Sequence, residues 1–315
     1  MKAMQFTAYG GPDKLQLTEI PEPNPAAGHI RVRVRATSIN PIDWKLHSGM
    51  LRWVKPLRFP STPCFDFAGV VEQTGSDARQ FAVGDAVYGM LPIGGLGAAA
   101  ESLVVDERHA CRVPAGLPLE TMAGLPLAGM TALQALRDQG QLKSGQAVLI
   151  IGAAGGVGHY AVQIGRLLGG RITAVCGPRN LDFCRELGAE AVLDYTPPGP
   201  SLPASAFDLI LDCAGHDGFG RWQDSLKPHG RYVTLLPALS LALHALPARL
   251  LKGQRLSVTF VKPRAEDLHW LAAQAQAQRL RTAVDQVFPL RELPAALMKS
   301  QGGHARSKII VAIPE

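Results

Sequence analysis

The chain has 315 residues, enough for two domains with a core each. Apolar residues make up 47% and charged residues 18%, an ordinary globular composition. The formal charge of +6 comes from scattered lysines and arginines with no basic run, so no nucleic-acid tract is indicated. Five cysteines (Cys64, Cys111, Cys176, Cys184 and Cys213) are widely spaced and form no CxxC pair. That pattern predicts a reducing, cytoplasmic setting and excludes a disulfide frame or a cysteine-cluster zinc site. No leader segment is expected, because Met1 to Phe6 enters strand-like sequence almost at once.

Residues 1–115 read as β-rich. Residues 30–36 alternate apolar and basic side chains, the period of a half-buried strand, with Arg31, Arg33 and Arg35 on its wet face. Short strands follow at 67–72 and 85–89, and Pro/Gly clusters at 10–12, 21–28, 56–63 and 92–97 mark turns. This spacing suggests a barrel or sandwich. Near Leu117 the character changes, and residues 119–136 read as a helix kinked at Pro126.

From there strands and helices alternate: strands at 147–151, 171–176, 191–194, 207–212 and 230–235, helices at 157–168, 180–187 and 218–226. Alternation of this kind predicts a parallel, doubly wound sheet. A proline-rich loop covers 197–203, and a late helix carries Leu268, Leu271, Ala272 and Ala275. Strands at 284–289 and 308–313 close the chain. The most apolar stretch, 235–251, is interrupted by Pro237, His244 and Pro247. It is too broken for a membrane span of about 20 apolar residues, so no membrane partner is expected. It reads either as a lid and dimer face or as plain core.

Within the alternating region, Val148-Leu149-Ile150-Ile151 runs into Gly152-Ala153-Ala154-Gly155-Gly156-Val157-Gly158. A helical stripe of Val157, Ala161, Ile164 and Leu168 follows. Strand, glycine turn and helix in this order form a dinucleotide-binding unit: glycines let the backbone approach a pyrophosphate, and the helix N-terminus stabilises its charge. The next strand, 172–176, ends in Cys176-Gly177-Pro178-Arg179-Asn180 with no carboxylate before Asp182. An acidic residue there would bond the 2′-hydroxyl of NAD; Arg179 is placed instead to grip a 2′-phosphate, so the expected cofactor is NADPH. The other reading of Arg179 is that it opens the next helix on the surface.

Taken with Ser38-Ile39-Asn40-Pro41-Ile42-Asp43-Trp44-Lys45, Phe65-Asp66-Phe67-Ala68-Gly69-Val70-Val71, Leu127-Ala128-Gly129-Met130-Thr131-Ala132 and Gly188 to Tyr195, the chain resembles the medium-chain dehydrogenase/reductase superfamily. Within it, it resembles the zinc-free quinone oxidoreductase and alkene reductase branch. The resemblance implies an α/β chain: a GroES-like catalytic domain with a partly open β-barrel (1–118 and 266–315) and an inserted Rossmann domain (119–265). Substrate is then expected in the cleft between them, and a homodimer paired through the cofactor domain.

The resemblance also suggests Tyr195 and Lys308 near the 2′-phosphate, Lys45 near the nicotinamide, and Gly129 and Thr131 near its ribose. Zinc-dependent relatives use a cysteine, a histidine and a further cysteine; the resemblance sets Asn40 or its immediate neighbours, Phe65 and Leu127 at the matching places, so no metal is expected. Without a Lewis acid, hydride transfer to a quinone or an α,β-unsaturated carbonyl is favoured over alcohol oxidation. Asn40 is then expected to direct its amide N–H at the substrate carbonyl oxygen, or else to serve as a turn residue before Pro41. Lys45 is a candidate to orient the cofactor or donate a proton, and Asp43 and Asp66 are further candidate donors. The rival readings are a non-catalytic NADPH-binding protein and a zinc-type alcohol dehydrogenase.

Overall fold

The computed structural model describes every residue except 93–96, 197, 198, 200, 238, 304 and 315. The expected turn at 92–97, loop at 197–203 and apolar stretch at 235–251 therefore lie partly outside the described residues. The chain divides into two compact units, Met1–Met130 with Lys262–Glu315, and Thr131–Val261.

The first unit opens with a ribbon of β1 (Lys2–Phe6) and β2 (Leu15–Glu19), then β3 (His29–Ile39). Helix α1 (Pro41–His47) follows directly, then β4 (Asp66–Thr74), β5 (Ala86–Met90), β6 (Ser102–Asp106) and β7 (Ala110–Arg112). Strand β3 organises this unit. Ile30, Val32, Val34 and Ala36 are fully buried, as their period of two requires. Arg33 on the other face donates to Glu72 of β4 at 2.7 Å, which supports the wet-face reading of the arginines.

The expected helix at 119–136 is broken. Helix α2 (Leu119–Ala123) ends at Gly124, and α3 (Pro126–Gln134) restarts at a proline, which has no N–H to continue the ladder. Because α2 packs on β3, β4 and β5, residues 119–130 belong with the first unit rather than with the domain that follows.

The second unit is built on β8 (Ala147–Ile151), α4 (Gly158–Leu167), β9 (Arg171–Cys176), α5 (Leu181–Glu186), β10 (Ala191–Asp194), β11 (Phe207–Asp212), α6 (Gly218–Trp222), β12 (Leu226–Thr234), α7 (Leu239–Lys252) and β13 (Arg255–Val258). Its six strands are parallel, in the order β10-β9-β8-β11-β12-β13. Numbered within the unit this is 3-2-1-4-5-6, the doubly wound order in which ligands bind where the winding reverses, outside the carboxyl ends of the first and fourth strands. Val148, Leu149 and Ile150 are fully buried, as a strand covered on both faces demands. Helix α6 is shorter than the expected 218–226, because β12 already begins at Leu226. Helix α7 is core along one face only: Leu241 and Ala248 join the buried cluster, while Leu243, Leu246, Leu250 and Leu251 are exposed.

The chain returns to the first unit through α8 (Ala265–Gln276), β14 (Val284–Pro289), α9 (Leu293–Gln301) and β15 (Lys308–Ala312). Strand β15 pairs parallel with β14 and antiparallel with β3, Ile309 facing Ile39 and Ile310 facing Ser38. This completes a seven-stranded sheet, β14-β15-β3-β4-β5-β7 with β6 also on β3. The register brings Lys308, first residue of β15, to the end of β3 where α1 begins.

Candidate functional site

Two polar centres stand out, one in each unit. In the second unit the glycine turn leaves β8 at the point where the winding reverses. Gly152 has φ +72°, a left-handed conformation that disfavours side chains. The N–H groups of Gly152 and Ala153 donate to the Val175 carbonyl at 3.0 Å each, which ties the turn to β9. A Cβ at Gly158 would lie 2.1 Å from the Gly152 carbonyl oxygen, so only glycine lets the helix start this close to the strand. Ala154, Gly155, Gly156 and Val157 form the approach to α4. The first N–H groups of a helix have no partner within it, and a pyrophosphate satisfies them.

At the end of β9, Cys176 and Gly177 are buried while Arg179 is exposed on a single 3-10 turn, Pro178–Asn180. Tyr195, half exposed after β10, lays its ring against Gly177: a Cβ there would stand 3.1 Å from the phenol oxygen. The structure thus brings Cys176, Gly177, Arg179, Asn180 and Tyr195 to one strand edge. Asp182 is ion-paired with Arg185 at 2.5 Å. Asp194 ends β10 beside Cys176 and accepts the Thr196 N–H at 2.9 Å. The cation of this edge is exposed, and its nearest following carboxylate in the chain, Asp182, is engaged elsewhere.

The second centre is a network of side chains in the first unit, all of them buried: Ser38, Asn40, Asp43, Asp66 and Lys308. Asp66 is its hub. One carboxylate oxygen accepts from the Ser38 hydroxyl (2.6 Å) and from the Asn40 amide (2.8 Å). The other accepts the Leu127 N–H at 2.8 Å. The Lys308 ammonium lies 3.8 Å from Asp66 and donates to Asn40 Oδ1 at 2.7 Å and to the Ile39 carbonyl at 3.3 Å. A buried ammonium is tolerated only with such partners.

Asp43 completes the network from α1. Its Oδ2 accepts the Asn40 N–H at 2.7 Å, capping the helix, while its Oδ1 has no partner among the described residues. Burial pushes the Asp43 carboxyl up to about 8, against the opposing Asn40 N–H. Burial also raises Asp66 and lowers Lys308, each opposed chiefly by the other's charge. The Ser38, Asn40 and Leu127 donors and the Lys308 charge favour the carboxylate at Asp66; at Asp43 the Asn40 N–H does so, with the Lys308 charge a smaller cause.

Several expectations are corrected by this network. Lys308 is 1% exposed and its ammonium is engaged within the first unit, so it is not a surface contact for a 2′-phosphate. Asn40 is 3% exposed at the N-cap position of α1, and both ends of its amide are held, by Lys308 and Asp66. Asp43 and Asp66 are 0% exposed and cannot pass protons directly to solvent. Gly129 is enclosed by Leu125 and Leu271, at 3.0 and 3.2 Å from a Cβ built there; helix packing accounts for it without a ribose. Thr131 is likewise buried, at the start of the second unit. Lys45 is half-buried on α1, 5.5 Å from the Trp44 ring centroid, and burial lowers its pKa. Sequence reasoning missed the hub role of Asp66 and the part of Ser38; both motifs were visible, but not their convergence.

Residues 26–115 match the family alcohol dehydrogenase GroES-like domain, and 187–311 match zinc-binding dehydrogenase. Across 99% of its length the chain is 35% identical to the chloroplast envelope quinone oxidoreductase homolog of Arabidopsis thaliana, covering 98% of that protein. The chain belongs to the medium-chain dehydrogenase/reductase superfamily, in its quinone oxidoreductase branch. Its GroES-like and Rossmann domains are those of the superfamily. The solved structure of the quinone oxidoreductase from Coxiella burnetii matches with a TM-score of 0.89 at 31% identity, over 100% of this chain and 99% of that one. The Escherichia coli quinone oxidoreductase complexed with NADPH shares the fold, with a TM-score of 0.87 at 23% identity over 99% of this chain and 100% of that one. The chain is therefore an oxidoreductase of a pyridine-nucleotide-binding family.

Proposed function

We propose that this protein reduces a quinone or a conjugated enone with NADPH, and that it does so without zinc. The observation that carries the reading is the convergence of Asn40, Phe65 and Leu127. The resemblance sets them, with the immediate neighbours of Asn40, where zinc relatives keep their ligands, and Asp66 links all three: it bonds the Asn40 amide, accepts the Leu127 N–H and adjoins Phe65 in the chain. An amide, a phenyl ring and an isobutyl group make no zinc site. The buried Lys308 ammonium beside them, 3.8 Å from Asp66, repels a dication and already neutralises the carboxylate.

The residues that would hold NADPH are the turn from Ala154 to Gly158, which approaches the pyrophosphate, and Arg179 with Tyr195 at the ribose edge. An exposed guanidinium there suits a 2′-phosphate better than a bare 2′-hydroxyl. NADPH bound there supplies a hydride. Quinones and enones are electrophilic enough to accept one without a Lewis acid, whereas an alcohol needs its alkoxide stabilised. Lys45, half-buried on α1 with its pKa lowered by burial, is the side chain to which we assign the proton; the alternative source is water.

The test is the loss of NADPH absorbance with a panel of quinones and enals, run with metal quantified on the same sample. Turnover on any of them without stoichiometric zinc is the expected result. Tight NADPH binding with no acceptor turned over would replace this reading by that of a non-catalytic NADPH-binding protein.

A further inference from the structure

Away from the polar network under α1, the first unit holds a thiol and an imidazole in contact. Cys111 sits in the middle of β7, the short strand at one end of the seven-stranded sheet, and is 2% exposed. Its Sγ stands 3.1 Å from Nδ1 of His269, an exposed residue of α8. The two elements are tied together beside this contact. Tyr88 of β5, opposite Cys111 in the β5–β7 register, donates its hydroxyl to the Leu268 carbonyl at 2.6 Å. That bond fixes α8 at the residue before His269.

The pair opens on a cavity of about 330 Å³, at the small end of ligand sites. Helix α8 lines it with His269, Ala273 and Gln276, one helix face at steps of four and three. Phe81 and Arg112 line it from the other side. The Arg112 guanidinium lies over the Phe81 ring, 5.5 Å from its centroid, and its charge is met by Asp85 at 2.5 Å. The cavity thus offers apolar wall, the Gln276 amide and a neutralised cation. It suits a small uncharged molecule with a carbonyl oxygen better than an anion.

The thiol is the reactive group of this cavity. Burial pushes Cys111 up to about 11, opposed by a hydrogen bond with Tyr88 that favours the thiolate. Because the thiolate is the nucleophile, such a thiol reacts well only when its proton is taken as sulfur attacks. With its own proton on Nε2, His269 has a lone pair on Nδ1 to receive it. An adjacent base within bonding reach is what activates a sulfur nucleophile.

We propose that Cys111 is a covalent modification site for small α,β-unsaturated aldehydes, with His269 as its base. The S–H proton passes to Nδ1 as sulfur bonds the β-carbon. The electron pair of the carbon–carbon double bond moves to the α-carbon, which takes the proton back from the imidazolium. The product is a thioether that keeps its aldehyde. Nothing is oxidised or reduced and no cofactor is consumed, so the test stands apart from that of the reductase reading.

The purified full chain, without NADPH, is treated with trans-2-hexenal, reduced with borohydride to fix the adduct, digested and mapped by mass. The expected result is a thioether on the peptide that holds Cys111, formed before any other cysteine reacts. Cys111→Ser should lose it. His269→Gln keeps a hydrogen-bond acceptor but removes the base, and should slow addition about a hundredfold. Ala273→Trp, at an exposed position, fills the cavity and should slow addition about tenfold, since the aldehyde is no longer held near sulfur. Each variant should keep the far-ultraviolet spectrum of the parent. Addition first at another cysteine, or a parent-like rate in either His269→Gln or Ala273→Trp, overturns the proposal. So does oxidation of Cys111 by hydrogen peroxide with no addition of the enal, which would make it an oxidation site instead.

Discussion

Between β8 and α4 the groups that matter are backbone N–H groups, on a turn whose last residue, Gly158, admits no Cβ. Beneath α1 they are side chains, Ser38, Asn40, Asp43, Asp66 and Lys308, buried and bonded to one another. The first centre is a turn of backbone groups, of which the Gly152, Ala153 and Gly155 N–H groups are bonded within the unit. The second is nearly satisfied by its own members and leaves one carboxyl oxygen, on Asp43, unpartnered among the described residues. A backbone site tolerates changes in the identity of its neighbours but no added atoms. A side-chain network tolerates neither a lost charge nor a lost bond. The two centres should therefore fail in different ways.

The largest effect is expected at Lys308. Lys308→Met leaves Asp66 buried beside Asp43 with no cation, and loss of one partner of a buried pair costs about 3–5 kcal/mol. Urea unfolding should show this, and Asp66→Asn in the same chain should restore much of it. If Lys308→Met unfolds at the parent's midpoint, the network does not carry the first unit's stability.

Gly158→Ala should be next. Its Cβ would meet the Gly152 carbonyl oxygen at 2.1 Å, and overpacking of this kind costs about 1–3 kcal/mol. Unlike Lys308→Met, it should weaken NADPH binding by a larger factor than it weakens the fold. Titration of NADPH by fluorescence, set beside the unfolding curve, separates the two.

Asp43 sharpens the contrast through pH. Its carboxyl is raised from 3.8 to about 8 on folding, so the folded chain holds a proton that the unfolded chain has released. Stability from this group is present below the unfolded value and falls as pH rises towards 8, by up to about 1.4 kcal/mol per pH unit. Asp43→Asn keeps an acceptor for the Asn40 N–H and removes the titration. Its unfolding free energy should be flatter between about pH 5 and pH 8 than the parent's, on the order of that slope. Equal slopes would mean that Asp43 is ionised in the folded protein.

The smallest of the four effects is expected at Arg179, which is exposed. Arg179→Ala should weaken NADPH binding about tenfold and leave NADH nearly unchanged, as the loss of one solvent-exposed charge-assisted contact predicts. Equal loss for both cofactors would remove Arg179 from the ribose edge.

The difference between the centres also explains what could be read before the fold was known. The turn is contiguous in sequence, and strands at 171–176, 191–194, 207–212 and 284–289 have the bounds that local pattern suggests. The Lys308–Asn40 bond joins residues 268 apart, and it exists only because β15 pairs with β3 in one register. No periodicity around Lys308 reports that register, so its family position pointed to the cofactor and its actual partners were hidden. Asn40 was legible as a turn residue before Pro41, but its bonds to Asp66 and Lys308 at the start of α1 were not. In the 235–251 stretch, leucines occupy every side of the helix, so pattern alone could not say which ones face the core.

The reaction we propose is hydride transfer to an electrophilic acceptor without zinc. The most direct measurement is the initial rate of NADPH absorbance loss with a quinone, on one preparation before and after treatment with a chelator. The same rate is expected in both samples. A rate that disappears with the chelator and returns with added zinc would contradict it.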